Sequence, residues 1–196
     1  MFRAIFRPAG YLKIRSDSGQ KLRFDWLLPG VTALIIAIVL TVFHFCSQAD
    51  ISIFSGESKL STSILDLVQT LPGFYIAALA AVVAFNSTAL DSPMRKPVMY
   101  LLINGYQDNL SRRRFLSYAL AYLAFSCIIL CLLLLIFEFF HGFSIGLPLW
   151  AIHIGYFFSC LITFFLFAQI ISLTFLCLWY LGDRIHFNEP KDPSVY

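Results

Sequence analysis

Four long apolar runs govern what this chain can fold into. They cover residues 26–45, 64–85, 115–137 and 149–181, each near or beyond the about 20 residues a helix needs to cross hydrocarbon. The third holds no charge until Glu138, and the fourth has no Asp, Glu, Lys or Arg at all. Only 13% of the chain is charged, against about a quarter in a typical soluble domain. That is too little to coat a water-facing surface, and 21 Phe exceed what a small core can hold. The expected fold class is therefore all-α, an integral membrane four-helix bundle. The first run is too long for a signal-peptide core and lacks a small-x-small end, so it is expected to stay as a span. Pro29 is expected in its first turn, where a missing N–H is tolerated. The fourth run outreaches a hydrocarbon core of about 30 Å, so it is expected to tilt or protrude.

Charge placement sets the threading. Thirteen of the fourteen Lys and Arg lie in residues 1–25, 86–114 and 182–196. The 46–63 connection holds only Lys59, and the short 138–148 connection holds none. Positive charge stays in the cytoplasm, which predicts an N-in/C-in protein of the cell inner membrane with its middle loop inside. Trp26 and Trp179-Tyr180 then fall at the inner interface and Trp150 at the outer one, as an aromatic belt requires. Residues 1–25, basic with interspersed apolar groups, read as a segment on anionic headgroups or as a flexible cytosolic tail.

Ionisable residues inside a membrane are functional candidates because leaving them unpaired is costly. Threading gathers His44, Asp66, Gln69, Glu138, His141 and His153 toward the outer leaflet, while Gln169 lies in the inner half. Such a cluster has the chemistry to sense pH, bind a cation or conduct protons; equally, these groups can simply solvate helix ends. Glu138 and His153 are the pair a short hairpin would bring together. Bis-His haem ligation has only His44 and His153 to draw on. The chain has no G-x-x-x-x-G-K-[ST], H-E-x-x-H or G-x-S-x-G, and its five Cys include no C-x-x-C. No catalytic residue, metal or cofactor is therefore expected, nor direct binding of nucleic acid.

In the second run Gly73, Ala77, Ala81 and Ala84 recur at helical spacing, a small-xxx-small face that lets helices approach closely. This places span two inside the bundle or at a homo-oligomer interface, and leaves the Phe-rich spans three and four toward lipid. The 86–114 loop mixes basic and apolar groups. Arg95, Lys96, Met99, Tyr100 and Leu102 are its candidate contacts with a cytosolic protein, while the Arg112–Arg114 triplet reads as a topology determinant on anionic lipid.

This architecture, with the sequence LSRRRF over Leu110–Phe115 leading into span three, resembles the membrane subunit of the bacterial Kiwa anti-phage defence system. The resemblance implies a homo-oligomeric inner-membrane component that senses phage attachment or envelope disturbance and engages a cytosolic effector. Two function classes stand: a sensor and scaffold, or a small oligomeric channel or transporter built on the outer polar cluster. A transporter normally shows inverted repeats with broken helices, and Pro72-Gly73 interrupts one span only. The threading has a direct check. Alkaline phosphatase fused after Tyr196 should be inactive and a fluorescent protein fused there bright; the reverse pattern would overturn it.

Overall fold

A computed structural model describes residues 7–16, 19–46, 54, 59–85, 88–93, 99–103, 106–141 and 148–184. Four long helices dominate: α1 (Leu28–Cys46), α2 (Lys59–Ala84), α3 (Arg112–His141) and α4 (Leu149–Trp179). Each is long and apolar enough to cross a membrane. At about 1.5 Å per residue α4 is roughly 46 Å long. Helix α1 is not the start of its own rod. A turn at Gln20–Leu22 and a π-helical turn at Arg23–Leu27 run directly into it, so Pro29 lies behind a preceding helical segment and not in a first turn.

The packing order differs from the expectation. Helices α3 and α4 form the centre, α2 packs along α3, and α1 packs along α4. The α3 surface that is buried repeats at helical spacing as Leu116, Leu120, Leu123, Cys127, Leu130 and Leu134. It shares one buried core with Tyr156, Cys160, Phe164, Ile170, Leu173 and Cys177 of α4. The Phe-rich helices α3 and α4 are thus central, and α2 is peripheral to them, not inside the bundle as the first of its two expected places had it. The close small-residue contact belongs instead to α1, where Ala33 and Ala37 are fully buried and bring α1 against α4. On α2 the buried side is Ser61, Ile64, Val68, Tyr75 and Val82, and Tyr75 reaches across to Thr174 of α4 with a 2.6 Å hydroxyl contact.

The chain is mostly helical, but one end of the bundle carries an antiparallel sheet absent from an all-α reading. Strands β1 (Ile14–Ser16), β2 (Met99–Ile103) and β3 (Tyr106–Asn109) pair in the order β1-β2-β3. The basic N-terminal segment and the middle loop therefore meet at the same end, as even threading requires. A 3₁₀ helix at Arg7–Lys13 lies on α3, close enough that a Cβ at Gly10 would come within 3.2 Å of the Tyr118 ring. Gly19, at φ +63°, turns the chain from β1 into the helix that follows.

The first turn of α3 places Arg112, Arg113 and Arg114 at the positive end of the helix dipole, which is unfavourable. Two of the three are offset locally. Arg113 pairs with Asp91 at 2.8 Å and donates to the Val83 carbonyl in the last turn of α2, while Arg114 pairs with Asp108 at 2.8 Å. The Ser111 hydroxyl caps the helix by accepting from the Arg114 N–H at 3.4 Å. Loss of packing should follow this burial map. Leu123→Ala should lower stability in detergent by about 2 kcal/mol, the low end for buried leucines, whereas Leu132→Ala, 51% exposed, should be near neutral. Thermal unfolding of both variants checks this, and equal shifts would refute it.

Candidate functional site

The most concentrated polar chemistry in the described residues lies at the sheet end of the bundle, around Asp25. Its origin is a proline. In an α-helix residue 29 would donate its N–H to the carbonyl of residue 25, but Pro29 has none. The side chain of Gln169, from the buried side of α4, takes that place and donates Nε2–H to the Asp25 carbonyl at 3.2 Å. Gln169 Oε1 in turn accepts from the Tyr122 hydroxyl at 2.9 Å. Both ends of the Gln169 amide are thereby satisfied in a region where an unpaired amide would cost several kcal/mol.

The π turn widens the helix by one residue and turns the Asp25 side chain inward, where it is 4% exposed. Its carboxylate accepts from the Tyr11 hydroxyl at 3.1 Å and pairs with Lys21. The Lys21 ammonium also reaches the Tyr11 carbonyl at 3.4 Å and sits 4.1 Å from the centre of the Tyr11 ring, a cation–π contact. Tyr11 stacks on Tyr122 at 5.3 Å and lies 6.1 Å from Phe115. Burial, together with the neighbouring Asp25 charge, raises the Tyr11 phenol well above its ordinary value, so it stays a neutral donor. Because the shift is upward, this contribution is complete below the unfolded value of about 10 and is lost as pH rises through the folded one.

This network is a latch. Every polar atom named in it faces another protein group, and it joins the 3₁₀ helix, the π turn, α3 and α4 in one buried cluster. The sequence singles out Gln169, whereas Asp25 and Lys21 fall within residues 1–25, read there only as a segment on anionic headgroups or a flexible tail. The usable signal was Asp25 four residues before Pro29.

The predicted outer cluster divides into pieces. His44 and His153 do come together, with ring centres 5.6 Å apart and edge to face. Tyr156 stacks on His44 at 4.4 Å, and Phe45 lies 5.5 Å from His153. His153 Nδ1 is buried without a hydrogen-bond partner among the described residues. Asp66 and Gln69 bond to each other at 3.3 Å along the exposed side of α2. Glu138 is exposed on α3, and the side chain of His141 lies outside the described residues. Among the described residues no group of three or more His, Cys, Asp or Glu could hold a metal ion.

Gly73, Ala77, Ala81 and Ala84 are all exposed, on the side of α2 turned away from α3. The loop residues separate by strand alternation. In the register Arg15↔Tyr100↔Asn109, successive residues of each strand point to opposite faces. Met99 therefore falls on the covered face with Ile14 and is 8% exposed, which corrects its expected place in a docking surface. Tyr100 falls on the outward face with Arg15, Gln107 and Asn109, the last three exposed. Leu102 pairs with Gln107 in the register, though its side chain lies outside the described residues, as do Arg95 and Lys96 entirely. No protein-family model, curated protein or solved structure matches this chain.

The latch has a specific energetic signature. Asp25→Ala strands the Lys21 ammonium, whose side chain is 9% exposed, and should cost about 3–5 kcal/mol, as removal of one partner of a buried pair does. Replacing both as Lys21→Met with Asp25→Leu should cost clearly less. Thermal unfolding in detergent measures both, and a double variant as damaged as the single one would contradict the ion-pair account.

Proposed function

We propose that this protein is a multi-pass sensor and scaffold of the inner membrane, with both termini in the cytoplasm. It self-associates through the Gly73, Ala77, Ala81 and Ala84 face and presents its sheet to a cytosolic effector protein. The observation that carries this reading is the two-faced sheet. One face is covered, with Ile14 and Met99 buried, and the other carries Arg15, Tyr100, Gln107 and Asn109 outward from strands contributed by two distant segments. A loop needed only to set topology has no use for an ordered sheet locked to the helix ends through Tyr11 and Asp25.

The interior favours a scaffold over a conduit. Between His153 and Gln169 the α3–α4 contact is built of Leu123, Cys127, Leu130, Cys160 and Phe164. Among the described residues the buried side chains of these two helices that carry a hydroxyl or amide are Tyr122, Ser126, Tyr156, Thr163 and Gln169, and Tyr122 and Gln169 bond to each other at the latch, which leaves too few to line a hydrated path. The setting proposed is anti-phage defence, on the likeness of architecture to the Kiwa membrane subunit; that likeness is an analogy of form.

Site-specific photo-crosslinking in cells tests the partner face. A benzophenone side chain at Gln107 or Asn109 should yield a discrete heteromeric adduct, reduced at least about tenfold, or 1.4 kcal/mol of binding, by Tyr100→Glu without loss of membrane insertion. A cysteine at Ala77 should give self-crosslinked dimers, whereas one at Ile128, exposed on α3, should not. Absence of any adduct from Arg15, Gln107 and Asn109 positions alike would remove the scaffold reading.

A further inference from the structure

The outer side of the same π turn carries a feature that the latch does not use. An open groove of about 470 Å³ runs along the start of α1, lined by Arg23, Phe24, Leu27, Leu28, Val31 and Thr32. That volume is within the range of about 300–1,000 Å³ typical of small-ligand sites. Its walls are apolar. Thr32 spends its hydroxyl on the Leu28 and Pro29 carbonyls, at 3.0 Å each. Leu27, Leu28 and Val31 are 61%, 47% and 49% exposed, so the groove faces whatever surrounds α1.

Arg23 closes one end of the groove. Its side chain is exposed and, among the described residues, makes no hydrogen bond or ion pair. This contrasts with Lys21, Arg113 and Arg114 nearby, each paired with a carboxylate. Trp26, 51% exposed and 5.7 Å from Phe165, is an amphipathic ring of the kind that sits at headgroup level. With Trp26 at headgroup level, the site would set a bare guanidinium at the depth of lipid phosphates and an open apolar groove leading from it along α1.

We propose that this groove holds one anionic glycerophospholipid, its phosphate on the Arg23 guanidinium and one acyl chain along Phe24, Leu27, Leu28 and Val31. A guanidinium matches phosphate oxygens bidentately, and the acyl chain covers apolar surface that the protein leaves bare. The inference requires α1 to lie in a bilayer; it does not depend on the scaffold reading or on any partner. The site shares the Arg23–Leu27 turn with the latch, so bound lipid holds the outer side of the turn whose inner side Tyr11 and Lys21 hold.

Native mass spectrometry of the detergent-solubilised full chain tests it, with phosphatidylglycerol and phosphatidylcholine of identical acyl chains as probes. The wild-type chain should retain one phosphatidylglycerol with at least about fivefold preference, the size expected for one basic group near an anionic surface. Arg23→Gln should bring the preference close to unity, while Arg7→Gln, an exposed cation outside the groove, should preserve it. Val31→Trp, which fills the groove, should release both lipids with unchanged helical circular dichroism. Equal retention of the two lipids by the wild type, full preference in Arg23→Gln, or unaltered retention in Val31→Trp would each overturn the proposal.

Discussion

One missing hydrogen-bond donor organises the sheet end of this protein. Pro29 lacks the N–H that would close on the Asp25 carbonyl, and the Gln169 side chain of α4 supplies a donor at 3.2 Å instead. That substitution ties α1 to α4 at one depth and fixes how α1 is rotated. The π turn before the proline turns the Asp25 carboxylate to the same side, where Lys21 and Tyr11 converge on it. A buried ion pair of this kind contributes little net stability, because desolvation offsets most of the attraction. Its effect is geometric: the partners are satisfied in one arrangement, so the N-terminal segment docks in one way. The 3₁₀ helix, its contact with Phe115 and Tyr122, and the position of β1 all follow from that docking.

The helix order reflects how packing works between apolar helices. Within a bilayer, lipid tails are as apolar as leucine, so burial alone does not draw helices together; shape fit and polar contacts decide. Helices α3 and α4 interlock through alternating large and small side chains, with Ala119, Cys127 and Cys160 fully or nearly fully buried beside Leu123, Leu130 and Phe164. Ala33 and Ala37 let α1 approach α4. Helix α2 uses its larger residues, Ile64, Val68, Tyr75 and Val82, against α3, which leaves its small residues outward and available for a contact outside the chain.

At the sheet end the demands of topology and of helix electrostatics conflict. Basic residues of the kind that hold a membrane-protein loop on the cytoplasmic side stand at the N-terminus of α3, where the dipole disfavours them. Asp91 and Asp108 offset Arg113 and Arg114. These exposed pairs are worth only about 0–1 kcal/mol each, but they tether the end of α2 and strand β3 to the start of α3. The sheet is thereby held on the bundle from both sides, by surface pairs on one and by the Asp25 latch on the other.

Four helices long and apolar enough to cross a membrane, and the partition of basic residues between loops, were legible in the sequence because hydropathy and charge are properties of composition within a window. Each acts through the surrounding solvent and needs no partner residue. The small-residue face of α2 was legible as a pattern, but which way it points was not, since a helical stripe carries no information about the surface it meets. The same holds for the outer cluster, where His44 and His153 met while Asp66 and Gln69 remained on α2. Only tertiary structure decided that Met99 turns inward while Tyr100 turns outward, because strand pairing between residues 14–16 and 99–103 sets that alternation. Only tertiary structure paired Gln169 with the carbonyl that Pro29 leaves open, since a hydrogen bond spanning 144 positions of sequence depends on helix packing that no local window contains.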